Sequence, residues 1–215
     1  MLTTASDRVV HRFLSNRLLQ GLATLFALVW LVAAISPVNR FDWFLENLLV
    51  FVTVGLLSYF YRTRPLSDLS YILITIFLML HTVGSHYTYS EVPLGFWLQD
   101  SFSLDRNHFD RIVHFCFGVL IFYPAREILF RYMGAGFRLS GFVAFAVIAT
   151  SSTIFEIIEW IVAIVVSPEA AMAYLGTQGD IFDAQKDSAL AIFGTVFGLL
   201  LTRRFIKPRQ TDSAD

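Results

Sequence analysis

Long apolar stretches dominate this sequence and limit the folds it can adopt. The chain has 215 residues, of which 56% are hydrophobic and 15% charged, whereas soluble domains carry about 25% charged residues. A helix needs roughly 20 apolar residues to cross the hydrocarbon of a bilayer. We therefore predict an all-α polytopic membrane protein, with six transmembrane helices in one bundle. The predicted spans are about 18–35, 43–60, 69–87, 110–130, 139–166 and 183–205.

The remaining segments are short. Residues 1–17 and 207–215 are predicted tails, and the membrane domain at 18–206 leaves no room for a separate soluble domain. The first apolar stretch lacks a cleavage site of small residues, so we expect it to be retained as a span. The stretch 92–103 is apolar but too short to cross, and we expect it to lie along the interface with Trp97 at the headgroups.

Basic residues predict the orientation of these spans. Twelve of the 16 Lys and Arg residues lie in the two tails, in the segments after the second and fourth spans, or at the ends of the fourth and sixth spans. The other side carries four: Arg40, Arg106, Arg111 and Lys186. Cytoplasmic loops are enriched in Lys and Arg, so both termini are predicted to be cytoplasmic, in the inner membrane of a bacterium.

Most acidic residues lie on the opposite, outward side. Four of the five histidines accompany them: His81, His86, His108 and His114. The net charge of −1 gives no support for a nucleic-acid partner, and the single cysteine excludes an internal disulfide or a cysteine-rich metal site. The outward half is therefore rich in groups that bind cations.

Acidic residues and a histidine recur at helical spacing where two predicted spans begin. Asp110 and His114 are four residues apart, as are Asp183 and Asp187, so each pair shares one face of its helix. Each pair by itself also fits an ordinary helix start, because acids cap helices and favour their N-terminal ends. Small residues follow on the same faces, so we expect both faces to point into the bundle.

The fifth span carries Glu156 and Glu159 within the membrane. Counted back from Val166, Glu159 lies roughly 10 Å and Glu156 roughly 15 Å below the outer boundary. Hydrocarbon does not tolerate ionised carboxylates alone, so a proton or a cation must neutralise them. Asp42 and Glu46, in contrast, are expected at a solvated helix end.

Imidazoles and carboxylates together are ligands of zinc, manganese and iron, so we predict a divalent metal in an outward cleft. The candidate metal ligands are His114, Asp110, Asp183, Asp187 and His81. The candidate catalytic residues are Glu159, His108 and Glu156. The candidate substrate-binding residues are Arg106, Arg111 and Lys186. Taken alone, His81 fits a hydrogen-bonded polar residue better than a ligand, and His108 fits an ordinary surface or interface residue better than a ligand.

Three functions remain open at this point. The cleft could belong to a metal-dependent hydrolase or transferase that acts on a lipid or lipid-linked headgroup. It could instead relay protons or cations across the membrane, although the inner halves of the spans offer few polar groups. In a non-catalytic assembly or sensing protein, the polar cluster would only lock the helices together. We favour the enzyme, and the sequence does not indicate an oligomeric state.

Four strings carry a resemblance to a known family. They are His86-Tyr-Thr-Tyr89 with Pro93-Leu-Gly95, the segment 106–114, Glu156-x-x-Glu159-Trp160, and Gly179-Asp180-x-x-Asp183-x-x-x-Asp187. Over nearly all of its membrane part, the chain resembles the small bacterial inner-membrane family typified by YjdF. The resemblance implies a polytopic inner-membrane protein and no particular activity. The order of His, membrane Glu and Asp-x-x-x-Asp is also similar in spacing to VanZ-like proteins, from which no role follows.

Overall fold

The computed structural model of the chain describes residues 13–202, except the side chains of residues 169, 170, 172 and 173. The described part consists of α-helices and irregular connections and contains no strand, so the prediction of an all-α protein is confirmed. The helices are α1 (Arg17–Ala33), α2 (Arg40–Tyr61), α3 (Asp68–His86), α4 (Pro93–Phe102), α5 (Phe109–Tyr132), α6 (Phe137–Val165), α7 (Pro168–Leu175) and α8 (Asp183–Thr202).

Five of these helices, α2, α3, α5, α6 and α8, are long and apolar enough to cross a membrane. The first helix, α1, is apolar but has only 17 residues. The count of six spans and the cytoplasmic placement of both termini therefore stay predictions. Residues 1–12 and 203–215, which include most of the N-terminal tail, the end of the sixth predicted span and the C-terminal tail, lie outside the described residues. The short helix α4 occupies the stretch predicted to lie along the interface.

Glycines bring the backbones of α5 and α8 into direct contact. A Cβ atom on Gly118 would lie 2.1 Å from the carbonyl oxygen of Ala191, and one on Gly194 would lie 2.1 Å from that of Phe115. Small residues permit this close approach between membrane helices. The contact aligns the first turns of α5 and α8, which carry the predicted acidic residues.

Substituting Gly194→Ala is expected to destabilise the protein by about 1–3 kcal/mol, since the new methyl group would force the two backbones apart. The matched control is Gly21→Ala in α1, where a Cβ would have no neighbour within 4 Å. That change should be neutral or stabilising by up to about 1 kcal/mol, because alanine is the better helix former. Thermal unfolding in detergent compares the two, and equal melting temperatures would contradict the packing described here.

An apolar layer separates the polar groups at the two ends of the bundle. On α5, the fully buried Phe122 lies between His114 on one side and the buried Glu127 on the other. Ile148 of α6 packs against Phe122, and Phe77 of α3 belongs to the adjoining buried cluster. The polar groups around His114 are therefore closed off from those around Glu127 by packed apolar side chains.

Candidate functional site

Three aspartates from two helices converge where α5 and α8 begin. Asp110, Asp183 and Asp187 each place one carboxylate oxygen within 4.8 Å of the others. Asp110 lies in the first turn of α5, whereas Asp183 and Asp187 occupy successive turns on one face of α8. The glycine contact between the two helices sets this separation. Three of the five predicted metal ligands are thus brought together, and we call them the aspartate cluster.

A fourth predicted ligand, His114, lies beside the aspartate cluster. Its Nε2 atom is 3.6 Å from Asp110 Oδ1 and 3.2 Å from Glu156 Oε1. The hydroxyl of Ser152 lies 3.4 Å from the other ring nitrogen, Nδ1. Glu156 and Ser152 belong to α6, so a third helix contributes to the site.

The predicted substrate-binding cations already have acidic partners. Arg106 is 4% exposed and forms a bidentate pair with Asp183, in which Nη2 donates to Oδ2 over 3.2 Å. Arg111 donates to Asp183 over 3.1 Å and also to Asp180. Lys186 pairs with Asp180 as well, and it is the main reason that the pKa of Asp180 lies well below its usual range. Two arginines and one lysine thus compensate two aspartates.

The other acidic groups of the site lack such compensation. Among the contacts described above, the imidazole of His114 is the only cationic partner open to Asp110 and Glu156, and Asp187 has none. Asp187 is 2% exposed, and its Oδ1 atom accepts no hydrogen bond from any described residue. A buried carboxylate oxygen without a donor is costly. The aspartate cluster therefore requires neutralisation, by protons or by a cation, beyond what the described side chains supply.

His81 lies in a neighbouring hydrogen-bonded group. Its Nε2 atom is 3.0 Å from the backbone oxygen of Glu46, and its Nδ1 atom is 2.5 Å from the hydroxyl of Tyr89. Because a carbonyl oxygen only accepts, Nε2 carries the proton and Nδ1 accepts from Tyr89. Burial, followed by the charges of Glu46, Asp110 and Glu159, raises the pKa of Tyr89 well above its usual value. Both nitrogens of His81 are thus engaged, and its role as a metal ligand stays a prediction.

The expectation that Asp42 and Glu46 lie at a solvated helix end is wrong. Both are buried, and both oxygens of Asp42 and Oε2 of Glu46 have no hydrogen-bond partner among the described residues. Burial, followed by the charges of Glu46 and Glu159, raises the pKa of Tyr174 in α7. These acids therefore extend the site toward α2. Asp42 and Glu46 are four residues apart and so share one helix face, and this spacing is the sequence signal that could have indicated them as site residues.

A cavity of about 100 Å³ lies between the hydrogen-bonded group around His81 and the aspartate cluster. His81 and Tyr89 line one part of its wall, and Asp110, His114 and Ser152 line another. At about 30 Å³ for each molecule of liquid water, it has room for roughly three waters. The cavity thus lies between Tyr89 and Asp110 of the aspartate cluster, with a few polar groups set in a largely apolar wall.

The two other predicted catalytic residues lie on different sides of the site. Glu159 is partly buried and shares a hydrogen bond with Glu156. His108 immediately precedes α5, with Nε2 3.4 Å from Asp105 and Nδ1 accepting from Arg111 over 3.2 Å. Partial burial and the charge of Arg111 lower the pKa of His108, so its imidazole is neutral at pH 7.

Comparison with known proteins places this chain in a family. Residues 18–208 match the family model described as "Predicted membrane protein (DUF2238)". The chain belongs to the DUF2238 family. It is also 34% identical over 195 residues to the inner membrane protein YjdF of Escherichia coli (strain K12), which covers 90% of this chain and 93% of that relative. No solved structure matches the chain.

The resemblance predicted from four short strings is therefore confirmed, and this DUF2238 protein is an inner-membrane protein. All four strings lie within residues 18–208, the part that the family model matches. The three aspartates, His114, Glu156 and Arg106 come from those strings. The candidate site is thus built from the matched part of the chain.

Proposed function

We propose that this protein is a metal-dependent hydrolase or transferase that acts on the phosphate of a lipid or lipid-linked headgroup. One observation carries the proposal. Three aspartate oxygens lie within 4.8 Å of one another, and Asp187, one of the three residues, is buried with an oxygen that has no described donor. A divalent cation would supply the missing positive charge. Manganese, iron and zinc accept this set of carboxylates with one imidazole.

Asp110, Asp187 and His114 would hold the metal, with Asp183 next to them. A metal held there would polarise a phosphoryl oxygen and lower the pKa of bound water. Arg106 is too buried to reach a substrate, so we assign it the role of positioning Asp183. Arg111 is 16% exposed and Lys186 49% exposed, so these two form the accessible cationic rim for a phosphate.

The surroundings of the site favour a lipid substrate. The short helix α4 exposes Leu94, Phe96, Trp97 and Phe102, as an interfacial helix does. The apolar layer around Phe122 closes the site on its inner side. A closed inner side favours chemistry at one membrane face over transport between the two faces.

The direct test uses protein purified in detergent and stripped of metal with EDTA. Bacterial phospholipids and lipid-linked phosphates are offered with added manganese, iron or zinc, and released products are followed by mass spectrometry. We expect turnover only after a metal is restored. Turnover that is equal in EDTA and in added metal would contradict the proposal. Proton or metal flux in liposomes, without turnover, would favour a carrier instead.

The pH profile tests His108 as the general base. Because its pKa is lowered, the neutral and active form should persist below about pH 6.5, the usual value for histidine, and kcat/KM should fall only at more acidic pH. His108→Gln should remove this acidic limb and lower kcat/KM by about 10²- to 10⁴-fold. The control is His86→Gln, since His86 instead bonds the backbone oxygen of Ala33. If kcat/KM of His108→Gln still falls at acidic pH as it does in the wild-type protein, another residue is the base, with Glu159 as the next candidate.

A further inference from the structure

A second, larger cavity opens on the same side of the protein as the aspartate cluster. It has a volume of about 390 Å³ and is lined by residues of three connecting segments, namely 38–39, 88 with 90–91, and 176–179. Small-molecule sites usually occupy roughly 300–1,000 Å³. It shares no lining residue with the 100 Å³ cavity. We call it the loop pocket.

Most of the residues that line the loop pocket are polar, and Glu91 is the only charged residue among them. Asn39 uses its side-chain oxygen to cap α2, where it accepts from two backbone N–H groups. Its NH₂ group donates to no described residue, so it is available to a ligand. Ser90 and Thr177 add hydroxyl groups. These uncharged donors and acceptors match the hydroxyl groups of a glycerol or sugar, whereas a bare phosphate would require cations.

The walls of the loop pocket are held in unusual backbone conformations. Thr88 and Gln178 have φ angles of 49° and 50°, in the left-handed region that a β-branched residue such as threonine seldom adopts. Gln178 is held by both of its amide atoms, which bond the backbone N–H and C=O of Asn107 over 3.0 and 2.9 Å. On the other wall, Val38 donates to the backbone oxygen of His86 over 3.0 Å. Such strained conformations persist where the surroundings fix them, and they cluster at ligand sites.

One buried side chain joins the loop pocket to the aspartate cluster. Arg106 donates to the backbone oxygens of Thr177 and Gly176 over 2.9 and 3.2 Å while it pairs with Asp183. On the opposite wall, Thr88 of the loop pocket is followed directly by Tyr89 of the inner cavity. A phosphate ester bound near the cluster would therefore have its headgroup next to the loop pocket.

We propose that the loop pocket binds the headgroup of the substrate, and that it selects phosphate esters with an uncharged, hydroxyl-rich headgroup such as glycerol or a sugar. This inference rests on the proposed function, because it assumes that the phosphate lies at the aspartate cluster. It adds the class of headgroup, which the cluster alone does not determine.

The test measures binding to the full-length protein in detergent, with manganese present. Phosphatidylglycerol carries the glycerol headgroup, phosphatidic acid has the same phosphate without a headgroup, and phosphatidylethanolamine carries a cationic headgroup. We expect phosphatidylglycerol to bind about tenfold more tightly than the other two, which corresponds to one or two net hydrogen bonds. Competition by soluble glycerol phosphate distinguishes a free phosphate ester from a lipid as the ligand. Strong competition indicates that the pocket binds a free ester, and weak competition indicates that it binds a lipid.

Two variants locate the preference in the loop pocket. Ser90→Leu should fill the pocket and abolish the tenfold difference, whereas Ser101→Leu, on the exposed face of α4, should keep it. If Ser90→Leu does not fold, Thr177→Val serves instead. It removes one hydroxyl but retains the side-chain volume and the backbone oxygen that Arg106 binds, and it should reduce the difference.

Equal binding of the three lipids by the wild-type protein would overturn this inference. So would a preference that survives both Ser90→Leu and Thr177→Val. Metal-dependent turnover without any headgroup preference would overturn the headgroup assignment but keep the proposed function. A preference for glycerol that is independent of metal and of Asp187 would keep the headgroup assignment but overturn the proposed function.

Discussion

Asp187→Asn is expected to weaken binding of the divalent metal by at least about 100-fold and to abolish turnover, since losses of this order follow even from changes around metal ligands. Asparagine keeps the size of the side chain but removes the negative charge and the buried oxygen that has no described donor. Elemental analysis of purified protein and titration of the metal-free protein with manganese provide the measurement. The wild-type protein should retain about one metal ion per chain.

In the metal-free protein, the same substitution should not lower the stability. Without a cation, Asp110, Asp187 and Glu156 repel one another, so Asp187→Asn should leave the melting temperature unchanged or raise it. Asp100→Asn is the matched control, because Asp100 lies exposed on α4, away from the cluster. If Asp187→Asn and Asp100→Asn bind manganese equally, the aspartate cluster does not hold the metal. If Asp187→Asn instead unfolds the protein with and without metal, the cluster has a purely structural role.

Arg106→Ala is expected to destabilise the protein by about 3–5 kcal/mol, because it leaves a buried carboxylate without its bidentate partner. Asp183 would keep only the single hydrogen bond from Arg111, and the oxygens of Gly176 and Thr177 would lose their donor. Thermal or denaturant unfolding in detergent measures the change. The control Arg40→Ala removes an exposed arginine that bonds one backbone oxygen, and it should cost less than about 1 kcal/mol.

A double variant separates the ion pair from general packing effects. Adding Asp183→Asn to Arg106→Ala should recover part of the lost stability, because the uncompensated charge is then gone. Strictly additive losses would show that Arg106 acts through its contacts with the loop rather than through Asp183. A loss below about 1 kcal/mol in Arg106→Ala would contradict the buried pair.

The sequence was sufficient for most of the helices and for part of the site. The helices α1, α2, α3, α5, α6 and α8 begin and end within three residues of the corresponding predicted spans, where the compared boundary lies within the described residues. The short helix α7 was not predicted and lies in the segment between the fifth and sixth predicted spans. Spacing within one helix also placed Asp183 and Asp187 on one face correctly, because the helical period fixes which residues share a face. The small residues of α5 and α8 predicted that these faces point into the bundle, and the structure shows that the two helices contact each other there at Gly118 and Gly194.

Spacing along the chain did not predict contacts between residues that come from different segments. It indicated nothing about the bond between His81 and Tyr89, or about the pair of Arg106 with Asp183, which lies 77 residues away in the chain. Glu46 was expected in solvent because the start of a helix is often wet, yet the packing of α2 against α3 buries it beside His81. The positive-φ loop at Gln178 likewise depends on its bonds to Asn107.

The sequence by itself determined that this chain is a helical inner-membrane protein with acids and imidazoles on one side. Hydropathy and helical period are local properties, and twenty consecutive residues suffice to express them. Only the tertiary structure decided which carboxylates have arginine partners and which do not. Charge compensation depends on distances between segments that are far apart in the chain, and here the contact between the backbones of α5 and α8 sets the separation of the three aspartates.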